Sequence, residues 1–289
     1  MLSSIKSRYL LFLIPLLLAF VWLMFHSNEY APFSLLGLLG AIFANATGAG
    51  GGVVFIPAFQ QLGITDAQSV ATSFAIQCFG MTVGSFMWSK HAKKCELSDW
   101  QLMPKLLLVC LPFSILGIWT VYGFSFPTPA SVSSLFAYFS IFIGLGLLLT
   151  TIFLKPITDN DDQSLVKQKL NTLDIFYLTL ISYAGGLVTA WLSVGVGEMV
   201  AFYLILRGYR VTMAIATAVI ISAVSVWAGI GFHISSGQIH YDILMFAGPA
   251  AAIGAVIARL LATRLPVMHL KMVFAGWVLF AGIFELITS

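Results

Sequence analysis

Charge is scarce in this chain. Only 9% of its 289 residues are Asp, Glu, Lys or Arg, while 60% are hydrophobic and the mean hydropathy is +0.98. Ordinary soluble domains carry about a quarter charged residues. A soluble surface cannot be made from so little charge, so the chain reads as an integral membrane protein. The net charge of +3 comes from Lys and Arg scattered through loops, which excludes a basic face for nucleic acid. Cysteine is rare too. Cys78, Cys95 and Cys110 have no metal-ligand spacing, and their odd number supports no disulfide framework, so they read as reduced packing residues. Neither HExxH nor GxSxG occurs, and the His residues stand near predicted segment ends. An intramembrane hydrolase would therefore lack its nucleophile and base or its metal set, and no enzyme, cofactor or metal is expected.

What the chain has in quantity is apolar runs. A helix crossing about 30 Å of hydrocarbon needs about 20 residues. Runs of that length cover 9–25, 67–88, 102–122, 131–153, 211–233, 241–262 and 267–287. Lys6 and Arg8 precede the first, and no small-x-small cleavage site follows it, so residues 1–27 are expected to be a retained transmembrane helix. Two further runs are interrupted by glycine: 33–62 at "GAGGG" and 173–206 at "SVGVGE". The arm after each break has about ten residues, about 15 Å of helix, which reaches half-way across and no further.

The interrupted runs are related. Shifting the chain by 145 residues lays Gly40, Gly50, Gly52, Gly63, Ala71, Thr72 and Gly84 on Gly185, Gly195, Gly197, Gly208, Ala216, Thr217 and Gly229. Further on, "PFSILG" from Pro112 and "PAAAIG" from Pro249 share Pro and Gly at the same spacing. An internal duplication is expected. Basic residues cluster at Lys6/Arg8, Lys90–Lys94, the 155–172 segment, Arg207/Arg210 and Arg259/Arg264, whereas the loops around 26–31, 63–66, 123–130 and 234–240 have none. Positive-inside threading puts the N-terminus in the cytoplasm and the C-terminus outside. It also makes 33–62 begin and end outside while 173–206 begins and ends inside. The expected fold is therefore all-α and polytopic, an inverted repeat of a re-entrant helical hairpin plus three transmembrane helices. The first repeat spans 28–154, 155–172 is a cytoplasmic linker, and the second repeat spans 173–289. Such repeats are a mark of secondary transporters whose broken helices meet at the midplane.

Non-helical backbone at that depth must face protein or a watery cavity. Glycines there allow positive φ and close approach, and the first amides of the helix after a break lack intrahelical partners and carry the positive end of its dipole. Anions bind at such ends. The run is no P-loop, since no Lys and Ser/Thr follow its glycines. The candidate anion site comprises Gly48, Gly50, Gly51 and Gly52 with Asn45 and Thr47 before them, Gly195 and Gly197 with Ser193 before them, and Gln77 and Ser222 on the helices that follow. On the first of those helices Ser69, Ser73, Gln77, Gly80 and Gly84 share one face, either as a cavity wall or as a helix contact. Glu198 opens the second short arm nine residues before Arg207, about 13 Å from the cytoplasmic edge. An intramembrane carboxylate is costly, so Glu198 is the candidate for proton coupling, with capping of its half-helix as the plainer role.

"GAGGGVVFIP" in the first hairpin, "ATSFA" from Ala71 and the weaker echo in "SVGVGE" and "IATAV" resemble the TauE/SafE sulfite exporter family. The resemblance extends over nearly the whole chain after about residue 30 and is most specific in the first hairpin and the helix after it. It implies a duplicated permease that moves small sulfur-containing anions such as sulfite and sulfonates, in the export direction and with protons. The chain departs from a symmetric pattern in placing Glu198 directly after the second run's last glycine. The partners expected are a small anion, protons and lipid, with no nucleic acid. An anion channel could use the same half-helix dipoles.

Overall fold

The computed structural model describes residues 29–95, 98–128, 131–153, 166–262 and 267–288. The expected N-terminal helix at 9–25 and most of the 155–172 segment lie outside the described residues. The described residues form ten α-helices and no strand: α1 Phe33–Thr47, α2 Gly52–Gln61, α3 Asp66–Ala92, α4 Met103–Phe124, α5 Val132–Phe153, α6 Thr172–Leu192, α7 Val196–Leu206, α8 Val211–Ser235, α9 Tyr241–Ala262 and α10 Val267–Thr288. A 3₁₀ turn, Ser98–Leu102, leads into α4. Six helical segments among the described residues are long and apolar enough to cross a membrane: Asp66–Ala92, Ser98–Phe124, Val132–Thr150, Thr172–Leu192, Val211–Ser235 and Tyr241–Ala262. The chain is a multi-pass membrane protein.

The helices stop where the residues dictate. α1 ends at Gly48, whose φ of 82° is left-handed and whose N–H bonds the Ala44 carbonyl. α6 ends at Ser193 in the same conformation, φ 58°, with its N–H on Thr189. An L-residue takes that conformation only at some cost, so the second break is held by its surroundings. Within each interrupted run the chain then turns back. Phe59 near the end of α2 lies 6.0 Å from Phe33 at the start of α1, ring to ring. Tyr203 and Arg207 at the end of α7 both reach Asp174 at the start of α6, each at 2.9 Å.

The two hairpins open toward opposite ends of the bundle. The first opens where Gln60 bonds Asp66 and Ser133, an end that holds Glu29, Asp66, Asp242 and Glu285 and no described Lys or Arg. The second opens at the basic end, where every described Lys and Arg occupies a loop or an end turn. Ion pairs fasten that end. Asp174 receives Lys167 and Arg207 together with the Tyr203 hydroxyl. Asp99 receives Arg210 at 3.0 Å, both side chains being almost fully buried. Burial and the Asp174 carboxylate raise the pKa of Tyr209, which donates to Asp174 beside them. Taking one partner from such a pair costs more than the pair contributes, because it strands a charge out of water.

Packing repeats itself when the halves are exchanged. α1 packs on α9 as α6 packs on α4; α3 lies against α9 as α8 lies against α4; α3 and α8 cross each other, and α5 pairs with α10. Close approach at these crossings depends on glycine. A Cβ on Gly254 would stand 2.3 Å from the Leu38 carbonyl, and one on Gly117 would stand 2.3 Å from the Tyr183 carbonyl. Leu38 and Tyr183 are 145 residues apart, so one contact is made twice. Small residues at helix crossings are what lets backbones approach within a membrane. Gly254→Ala is therefore expected to lower stability by about 1–3 kcal/mol through overpacking. Gly231, whose Cβ position is open, should be stabilised by about 0.5–1 kcal/mol on the same change. Thermal unfolding of both variants in detergent checks the pair.

Candidate functional site

The tips of the hairpins meet near mid-height. Gln77 is the twelfth residue of α3 and Ser222 the twelfth of α8, and one tip rests against each helix. Gly52 is pressed on the second tip, where a Cβ would come 2.7 Å from the Ser193 carbonyl; Gly197 is pressed on the first, 2.7 Å from the Gly48 carbonyl. These are again one contact made twice, since Gly48 and Gly52 fall on Ser193 and Gly197 under the same shift.

Amides freed at the breaks find side-chain oxygens. The Gly51 N–H donates to Gln77 Oε1 at 3.0 Å, and Gln77 Nε2 donates to the Ser193 carbonyl and to Ser193 Oγ, both at 2.8 Å. Ser193 Oγ donates on to Ser73 Oγ at 2.9 Å. The Val196 N–H takes Thr189 Oγ1 at 2.9 Å, a residue that sequence reasoning did not single out. Its signal was faint: a threonine one turn before a helix end is common inside membranes, where its hydroxyl bonds back to its own helix, as Thr189 also does to Gly185.

Glu198 sits between the tips, 4% exposed. Its Oε1 accepts the Gly50 N–H of the first tip in a short hydrogen bond, and its Oε2 accepts the N–H of Gly195, the N-cap residue of α7, at 2.8 Å. One carboxylate thus caps the N-terminal ends of α2 and α7 together, a favourable place for negative charge. No described Lys, Arg or His shares in the hydrogen bonds that hold it.

The predicted site residues divide. Gly50, Gly51, Gln77, Ser193, Gly195 and Glu198 form the hydrogen-bonded junction, with Gly52 and Gly197 as its packing faces. Ser222 belongs with them: its Oγ lies 2.3 Å from where a Gly197 Cβ would stand, is buried, and has no hydrogen-bond partner among the described residues. Thr47 stays local, donating to Phe43 at 2.7 Å and accepting the Ala49 N–H. The Asn45 amide donates to Ala41 within α1 at 2.9 Å and its Oδ1 sits over Gly84, so its side chain clasps α1 to α3, beside a cleft that it lines with Gly51 and Gln77. The small face of α3 divides in the same way: Ser73 and Gln77 address the second tip, while Gly80 and Gly84 receive Ala41, Ala251 and Asn45. Beside Glu198 a cleft between α5 and α7 is lined by Ile143, Leu147, Ala201 and Phe202, with Thr47 and Ala49 across from them.

Contact between the tips is testable through the glycines. Gly197→Ala should cost about 1–3 kcal/mol, since one obstruction is backbone and cannot rotate away. Ser222→Gly in the same chain should restore part of that loss by removing the nearer hydroxyl, a coupling that a double-mutant thermal unfolding cycle reads directly.

The family model described as sulfite exporter TauE/SafE matches residues 33–284, from the start of α1 to the last turns of α10. No curated protein and no solved structure matches the chain.

Proposed function

Because this chain belongs to the sulfite exporter TauE/SafE family, we propose that it is a secondary transporter that carries a small sulfur-containing anion, sulfite or an organosulfonate, across the bacterial inner membrane with proton coupling. The observation that carries the reading is the junction itself. Two helix N-termini, brought in by hairpins from opposite ends of the bundle, direct backbone amides at one point, and that point already holds a carboxylate. Each helix terminus acts as roughly half an elementary charge, so two offset about one. A monoanion suits such a site better than a bare dianion.

The fold in this reading is an inverted repeat, with residues 28–154 and 173–289 as its copies. Its support is the opposed opening of the hairpins and the contacts that map onto each other when the halves are exchanged. The basic end faces the cytoplasm by the positive-inside rule, and the Gln60 end faces the periplasm. The amides of Gly50, Gly51 and Gly195 and the hydroxyls of Ser193 and Ser222 are the substrate donors; Gln77 and Thr47 shape the tips. Glu198 couples protons. A cell that generates the anion supplies the outward gradient for export. A channel built on the same dipoles would only dissipate that gradient.

Purified protein in proteoliposomes tests this. Radiolabelled sulfite or methanesulfonate should accumulate uphill when a pH gradient is imposed, and Glu198→Gln should keep anion binding but lose the pH-driven accumulation. Downhill flux alone would favour the channel. For orientation, single cysteines at the exposed residues Thr65 and Lys93, in a chain lacking Cys78, Cys95 and Cys110, should label from opposite sides. Labelling from the same side would end the inverted arrangement.

A further inference from the structure

We propose that the Glu198 carboxylate is a tethered stand-in for the transported oxyanion: it holds the Gly50 and Gly195 amides that the anion needs, so the anion binds only as Glu198 takes up a proton and releases them. This rests on the anion-transport reading above and adds to it the order of events and the charge carried per cycle.

The geometry makes the two ligands mutually exclusive. Each carboxylate oxygen takes one amide, from a different hairpin, in the way two oxygens of a sulfonate would. Beside them Ser222 Oγ is buried without a hydrogen-bond partner and faces Gly197 and the first tip, a spare donor at an otherwise saturated junction. The cleft toward α5 adjoins the Glu198 side chain and offers it a place when displaced. The groups that face it there, Thr47 and Ala49 of the first tip, Ile143 and Leu147 of α5 and Ala201 and Phe202 of its own helix, carry no charge and do not titrate. The nearest polar groups from α3, α6 and α8, Gln77, Thr189 and Ser222, are uncharged as well. An ionised carboxylate moved from two amides into that lining would lose both hydrogen bonds and gain no counter-charge. A neutral carboxylic acid can make the move.

The proton comes from water on the side where the anion enters, forming the O–H bond of the carboxylic acid, and returns to water on the other side as the anion leaves and the carboxylate recaptures its amides. One monoanion and one proton cross together. The cycle is electroneutral, so membrane potential neither drives nor opposes it.

Methanesulfonate is the probe, because it stays a monoanion at every working pH and any proton counted belongs to the protein. Calorimetric titration in two buffers of different ionisation enthalpy should give about one proton taken up per anion bound, with affinity falling by up to about tenfold per pH unit once the free carboxylate is ionised. Flux into proteoliposomes should not respond to an imposed potential. Glu198→Gln should bind methanesulfonate with no proton uptake and no pH dependence, and its flux should become voltage-sensitive. Binding to the wild-type protein without proton uptake, or wild-type flux that follows the potential, overturns the proposal while leaving the anion site standing. Loss of binding in a folded Glu198→Gln variant overturns it too, since the carboxylate would then be a required ligand. If that variant does not fold, the two wild-type measurements still decide. No methanesulfonate binding by either protein removes the anion site and this proposal together.

Discussion

Peptide groups that leave the helical ladder inside hydrocarbon must be satisfied by protein, and each one left bare costs several kcal/mol. The two hairpin tips of this chain satisfy one another. Glu198 from the second tip takes an amide of the first, while Gln77 bridges an amide of the first to a carbonyl of the second. The second hairpin takes its own Gly195 and Val196 amides through Glu198 and Thr189, while the first relies on Glu198 and Gln77 for its Gly50 and Gly51 amides. The glycine crossings bring helices close enough for the tips to touch, α3 and α8 back them, and the ion pairs at the basic end fix where the second hairpin starts.

The junction is a compromise between strength and release. Four hydrogen bonds on Gln77, two amides on one carboxylate and two carbonyls against glycine make a specific contact, yet its polar groups are amides, hydroxyls and a single acid, with no fixed cation. On the transport reading proposed above, a permanent counter-charge would hold an anion more tightly than a carrier can use, whereas paired half-charges from helix ends offer attraction that an oxyanion can take and give back.

Much of this was legible in the residues. Apolar run lengths set the helices to within a few positions, and the glycine breaks, the short arms and the depth of Glu198 follow from spacing alone. Lateral arrangement was not legible. Apolar faces look alike whether they meet lipid or another helix, so nothing in the chain says that α1 lies on α9 or α4 on α6. The Gly50–Glu198 bond spans 148 residues and the Arg210–Asp99 pair spans 111, and local pattern carries no information over such distances. Nor was the direction of Asn45 legible: its position beside the break says nothing of the contact its Oδ1 makes over Gly84, because a helical residue's direction is settled by which neighbour lies there.

The position that corresponds to Glu198 in the first half is Val53. Two identical halves brought together by this packing would set a second acid against the first at one junction, and like charges that close in an apolar setting cannot both ionise. A homodimer could form the scaffold but would have a divided, self-repelling centre. In the inverted-repeat reading proposed above, joining both halves in one polypeptide lets a single acid face an unencumbered partner, so covalent fusion is what makes a singly charged centre attainable in a twofold framework.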